Sequence, residues 1–199
     1  MPVDSAPINL THHFLIAMPG LQDEAFSRSV VYLCEHNQSG ALGLIINKPS
    51  DLNLKNLFEK VDLPLRRADL SDALVFQGGP VQTERGFVLH EPLAAAREGT
   101  DDSTYASTLV IPGGLEMTTS KDVLEALSTG AGPRRVLVSL GYSAWAEGQL
   151  ESELGENAWL TVAADPALIF ETPVEQRYDK ALGLLGLQAW MLSPDVGHG

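Results

Sequence analysis

A chain of 199 residues, 44% hydrophobic and with a formal net charge of −13, is long enough for one buried core and short for two. No apolar run approaches the roughly 20 residues of a spanning helix, and the acid-bearing start Met1-Pro-Val-Asp-Ser lacks the cationic lead of a signal peptide; neither a membrane span nor export is expected, and the expected compartment is the cytoplasm. A lone cysteine, Cys34, excludes an internal disulfide, and the acidity, with seven acids and no Lys or Arg from Val136 to Gln176, opposes direct contact with nucleic acid.

In chain order, β-branched and aromatic residues between turn formers predict strands at about 12–18, 29–36 and 41–47. The intervening His-Asn-Gln-Ser-Gly is a short loop, so the last two strands are expected to pair as an antiparallel hairpin. Val30-Val-Tyr-Leu-Cys34 is apolar on both faces and should be covered on both. Cys34 and His36, two apart on a strand, are expected to share a face. Asn47-Lys48-Pro49 sets an amide and an ammonium where proline stops the ladder. A helix is expected near Leu54–Val61, followed by an exposed loop from Leu63 to Asp72 that carries Arg66-Arg67 as solvated cations.

Further strands are expected at about 73–77, 86–90, 107–111, 135–140 and 158–163. Gln77-Gly-Gly-Pro80 and Ile111-Pro-Gly-Gly114 read as tight turns that need glycine's open φ range. Leu93 to Tyr105 reads as an exposed loop. Thr119-x-x-Asp122 approximates a capping box before Val123–Leu127. Ala146, Leu150 and Leu154 recur at helical spacing before Gly155, and Thr172-Pro173-x-Glu175 opens a helix carrying Val174, Tyr178, Ala181, Leu182 and Leu185. Helices are too few and too late for a regular βαβ series, which makes the class α+β in one domain over residues 1–199.

Val136-Leu-Val-Ser-Leu-Gly141-Tyr-Ser143-Ala-Trp145 resembles the strand–turn–helix of a hydrolase nucleophile elbow, with Asp165 and His198 following as formal partners. Trp145 stands where that elbow requires a second small residue, so Ser143 is expected to be an N-cap instead. Cys34, His36 and His90 are the residue types of a thiol dyad or soft metal site. They lack the local spacing of a zinc site, and a free cysteine is ordinarily core packing; no metal and no cofactor is expected.

Ten segments in order resemble the YqgE/AlgH family of bacterial proteins. They include Phe14-Leu-Ile-Ala-Met-Pro19, Ser29-Val-Val-Tyr-Leu-Cys-Glu-His-Asn37, Gly43-Leu-Ile-Ile-Asn-Lys-Pro49, Gly78-Gly-Pro-Val81, Arg85-Gly-Phe-Val-Leu-His90, Leu140-Gly-Tyr-Ser-Ala-Trp145, Gly148-Gln-Leu-Glu151 and Ile169-Phe-Glu-Thr-Pro173. The resemblance implies a mixed, largely antiparallel bifurcated sheet forming a pseudo-barrel flanked by helices. It brings no agreed catalytic residues. The family label of transcriptional regulator implies action through a small ligand or a protein, because the chain has no helix-turn-helix pattern. Two function classes follow. One is a non-enzymatic regulatory binding module whose single cleft is lined by some of His36, Asn47, Lys48, Arg85, His90, Asp122 and Tyr142; the other is a hydrolase using a histidine or the Lys48/Asp122 pair as acid and base. Oligomeric state and partner are not encoded in any motif.

Overall fold

The computed structural model describes residues 9–21, 23–92 and 105–192. The strands among these are β1 (His13–Ala17), β2 (Val30–Asn37), β3 (Gly40–Ile45), β4 (Pro49–Asn53), β5 (Leu74–Gln77), β6 (Val81–His90), β7 (Thr108–Ile111), β8 (Leu115–Thr118), β9 (Val136–Ala146) and β10 (Trp159–Ala163). The helices are α1 (Leu54–Lys60), α2 (Asp122–Ser128), α3 (Gln149–Gly155), α4 (Pro166–Phe170) and α5 (Arg177–Gly183). The loop expected from Leu93 onward falls outside the described residues up to position 104, as does His198.

The class is α+β: a largely antiparallel sheet, curled into a half-barrel, in the order β10-β1-β2-β3-β9-β6-β8-β7. It forks at β9. One long side of that strand pairs with β6; on the other, Ser143–Ala146 pair antiparallel with β3, while Val138–Leu140 pair parallel with β5. Gly141 sits between the two branches with φ 78°, a left-handed conformation that an L side chain rarely adopts. The crotch is tied by backbone and hydroxyl groups: Gly78 N donates to Leu140 O at 2.9 Å, and Gly78 O accepts from Ile45 N at 2.9 Å and from Ser143 Oγ at 3.0 Å. Gly78-Gly-Pro80 is thus more than a tight turn, because it joins both arms of the fork.

Three apolar clusters fill the layers, as strands apolar on both faces require. One lies between the sheet and α4–α5, with Phe14, Tyr32, Leu44, Phe76, Leu89, Ile169 and Leu182. A second packs α3 and the two indoles of Trp145 and Trp159 on the opposite face of β1–β3. The third sits under α1 and α2, around Leu54, Phe58, Val75, Val123 and Val138. Fully burying such side chains contributes roughly 1.5–3 kcal/mol each.

The β2–β3 hairpin forms as its loop residues dictate, with Asn37 opposite Gly40. Four expectations change. β9 runs straight through Gly141-Tyr-Ser143 to Ala146, so Ser143 is a strand residue and not an N-cap, because β3 supplies a second partner where a turn is expected. Pro49 begins β4 instead of ending a ladder; β4 pairs through β5 alone, and the first residue of such a strand tolerates a missing N–H. Neither expected threonine cap forms: α2 begins after Lys121 without a side-chain cap, and Pro173 caps a single 3₁₀ turn at Val174–Gln176. Cys34 follows Val30 and Tyr32 into the first cluster, and a bulge between Leu33 and Glu35 then turns His36 to the face of Ala41 and Trp145 in the second, so the two do not share a face.

Candidate functional site

The seven polar candidates are spread over several places, Arg85 and Tyr142 sharing the Phe87 ring. His36 ends β2 and is buried; its Nδ1 accepts from Leu10 N at 2.9 Å, which puts the ring proton on Nε2, 2.5 Å from Glu151 Oε1 on α3. Asn47 clamps the start of β2, its Oδ1 accepting from Val30 N and its Nδ2 donating to Arg28 O, both at 2.9 Å. Lys48 Nζ donates to Ala25 O at 2.8 Å, and burial pushes its pKa down while the Asp23 charge works the other way. These last two pin the turn 23–28 against the sheet.

His90 ends β6 with no exposure at all. Nδ1 donates to Glu91 O at 2.8 Å, so Nε2 accepts from the Thr118 hydroxyl at 2.7 Å, and Thr108 completes the chain at 2.9 Å. Burial pushes the imidazole pKa down, with the Glu91 carbonyl and the Glu116 charge opposing. Nearby, Asp122 accepts from Ala106 N at 2.7 Å and from Ser120 Oγ at 2.5 Å; burial pushes its carboxyl up, and these hydrogen bonds outweigh it and hold the group low. Arg85 and Tyr142 meet through one ring, the guanidinium 5.6 Å above Phe87 and the phenol edge-on to it at 5.4 Å. The expected single cleft is not what these positions form: His36 lies on β2, Lys48 between β3 and β4, and Arg85 on β6, and each is engaged with different partners.

Ser143 is fully buried with its hydroxyl given to Gly78 O, and Asp165 caps α4 by accepting from Ala167 N at 3.0 Å. The Cys34 thiol is buried against Tyr32, and desolvation followed by the Glu35 charge pushes its pKa up, which disfavours the reactive thiolate. Among the described residues no three His, Cys, Asp or Glu side chains converge.

A different group stands out. A cavity of about 350 Å³ opens between β5, the start of β9 and the segment from α4 to α5. Its apolar wall includes Phe76, Ile169, Phe170 and Val174, and its cations are Arg134, Arg135 and Arg177. Arg177 is only 7% exposed. Its Nε donates to Thr172 O at 2.9 Å, its Nη1 to Ile46 O at 2.5 Å, and its guanidinium lies 5.0 Å over the Phe76 ring. Those bonds use two of five N–H groups. No carboxylate of the described residues pairs with it; Glu175 acts only through its charge, against a desolvation that pushes the Arg177 pKa down to about 10.

Around the rim, Arg135 is paired with Glu91 at 2.7 Å and Glu171 at 3.0 Å, and Asp69 is paired with Arg67 at 2.8 Å. Arg67, far from being a solvated cation, ties three carbonyls, those of Ala131, Pro133 and Arg134, to the edge of this cavity. Arg134 is exposed and has no ion pair among the described residues. A trace of Arg177 is present in the sequence: at i+3 from Val174 and i+4 before Ala181 it puts a cation inside an apolar helical stripe. Nothing in the sequence, however, places Arg134 beside it.

With this geometry in view, comparison with known proteins is consistent throughout. A family model described as AlgH-like matches residues 14–190. A UPF0301 protein of Variovorax paradoxus is 76% identical over 198 residues, and one of Polaromonas sp. is 77% identical over 198, each match covering 100% of both chains. The solution structure of the AlgH protein from Pseudomonas aeruginosa is 47% identical with a TM-score of 0.74, covering 99% of this chain and 100% of that one. A crystal structure from Corynebacterium diphtheriae, 20% identical with a TM-score of 0.66 and covering 87% of this chain and 85% of that one, shares the fold.

Proposed function

The chain belongs to the AlgH-like family, and from that premise we propose that it is a single-domain, cytoplasmic, non-enzymatic binding module that passes the presence of a small ligand to a protein partner. The observation that carries this reading is Arg177: a buried guanidinium without a carboxylate partner among the described residues, lining a cavity with an apolar wall. A buried cation is costly unless something compensates it, and two carbonyls and a ring face do so only in part. A bound ligand completes the compensation. In this reading His36, Asn47, Lys48, His90 and Asp122 are the frame of the module, since each is already spent on holding strands or turns together. No helix among the described residues is long and apolar enough to cross a membrane.

The hydrolase alternative requires an acid and a base within reach of one substrate. His36 and His90 each engage both ring nitrogens, in different parts of the sheet, and Ser143 is sealed against Gly78, which weighs against it. The test is an amide-resolved NMR titration with a fragment set of mixed charge, run beside a turnover screen with nitrophenyl esters and phosphates. Shifts gathered on Phe76, Val174 and Arg177 without turnover are expected. Turnover that disappears on His36→Ala or His90→Ala refutes the non-enzymatic reading, and absence of any shift in this cavity refutes the site.

A further inference from the structure

We infer that the cavity beside Arg177 takes a small organic monocarboxylate with an aryl or short alkyl body. This deepens the proposed function and rests on its placement of the ligand in that cavity. After the bonds to Thr172 O and Ile46 O, one N–H of Nη1 and both of Nη2 have no acceptor among the described residues, and this is the end of a guanidinium from which an end-on contact to a carboxylate draws its two bonds. A planar, singly charged head matches that end.

Charge then selects among anions. The wall carries Arg134, Arg135 and Arg177 against Asp69 and Asp72, in a chain whose net charge is −13. Asp69 is neutralised by Arg67, and Arg135 is shared by two carboxylates, Glu91 and Glu171. What remains in the wall without an ion pair among the described residues is Arg177 and Arg134, with Asp72 beside them, the Glu175 charge acting on Arg177 and a second carboxylate, Glu171, in excess at Arg135. A monoanion brings the least added charge into these acidic surroundings, whereas a phosphate dianion meets Asp72, Glu171, Glu175 and the acidic remainder of the molecule with twice the repulsion. The apolar wall selects the body. Phe76, Ile169, Phe170 and Val174 offer no hydrogen bonds from their side chains, and burying hydrocarbon against them is what makes a pocket of about 350 Å³ bind a small acid at all.

The probe is 3-phenylpropanoate, compared with 3-phenylpropanol, 3-phenylpropylamine and inorganic phosphate, each titrated into the full chain by calorimetry and by amide-resolved NMR. The acid is expected to bind at least about tenfold more tightly than the alcohol, the added strength of a charge-assisted bidentate contact. The amine and phosphate are expected to leave Phe76 and Val174 unmoved. Arg134→Gln, an exposed position, should weaken the acid several-fold and leave the alcohol unchanged; Arg177→Met should abolish the preference, and Arg134→Gln carries the test if Arg177→Met does not fold. Equal binding of acid and alcohol overturns the carboxylate while leaving the cavity reading standing. Phosphate binding as tightly as the acid overturns the monoanion, and silence of the cavity toward all four probes overturns both.

Discussion

Two glycines with one backbone conformation separate local strain from tertiary crowding. Gly141 at the fork has φ 78° and Gly148 before α3 has φ 77°. A Cβ at Gly148 meets nothing within 4 Å, while one at Gly141 would lie 2.6 Å from Gly79 O, 3.1 Å from Val81 O and 3.2 Å from Thr83 Cα. Both alanine variants carry the left-handed cost of about 1–2 kcal/mol. Only Gly141→Ala must also push apart backbone that belongs to β6 and the Gly78-Gly79 turn, an overpacking cost of about 1–3 kcal/mol more. Urea unfolding followed by circular dichroism should therefore rank Gly141→Ala below Gly148→Ala by that second amount, a midpoint difference of about 2–12 °C in heat at about 2–4 °C per kcal/mol for a chain of this size. Equal losses at the two sites would falsify the claim that the fork is closed by backbone packed on backbone at Gly141.

Asn47→Ala leaves the buried Val30 N–H without its partner, while the exposed Arg28 carbonyl turns to water, and should cost about 1–3 kcal/mol, with Asn47→Asp recovering part through the Val30 bond; an unchanged urea midpoint for the alanine variant contradicts the clamp. His90 gives stability a pH dependence. Its native pKa lies below the unfolded value of about 6.5, so the unfolded chain takes up the proton first, and stability that is full above that value falls as pH drops toward the native pKa. The slope in that window is at most about 1.4 kcal/mol per pH unit from this residue, and His12, shifted in the same direction by burial, adds to it. Unfolding midpoints of His90→Asn between about pH 5 and pH 7.5 should lose that share of the slope; parallel profiles for variant and parent contradict the assignment.

Much of the architecture is readable along the chain because local physics and burial agree there. The apolar run Val30–Cys34 needs cover on both faces and receives it from two clusters, and the polar loop after it makes the β2–β3 hairpin the cheapest way to pair it. The α1 stripe of Leu54 and Phe58, with Asn53 accepting from Asn56 N at 2.8 Å, is likewise local. β4 and β8 are not legible, since Pro49-Ser-Asp-Leu-Asn53 and Leu115-Glu-Met-Thr118 become strands only because β5, and β6 with β7, offer ladders across the fold.

The site divides in the same way. Residue type marked His36, Asn47, Lys48 and His90 as polar groups at strand ends, and strand ends are where backbone amides and carbonyls also lack partners; tertiary pairing assigned these side chains to that need. The bulge at Cys34 turned His36 from one face to the other, a one-residue event that no periodicity registers. Arg134 and Arg177 are 43 positions apart in number and share one cavity wall. Composition and pattern thus determined an acidic α+β chain with a doubly covered sheet, because hydrophobic periodicity is a short-range signal. The forked β9, and with it the pocket beside Arg177, was decided only by contacts between distant segments, whose backbone hydrogen bonds carry no residue-specific mark.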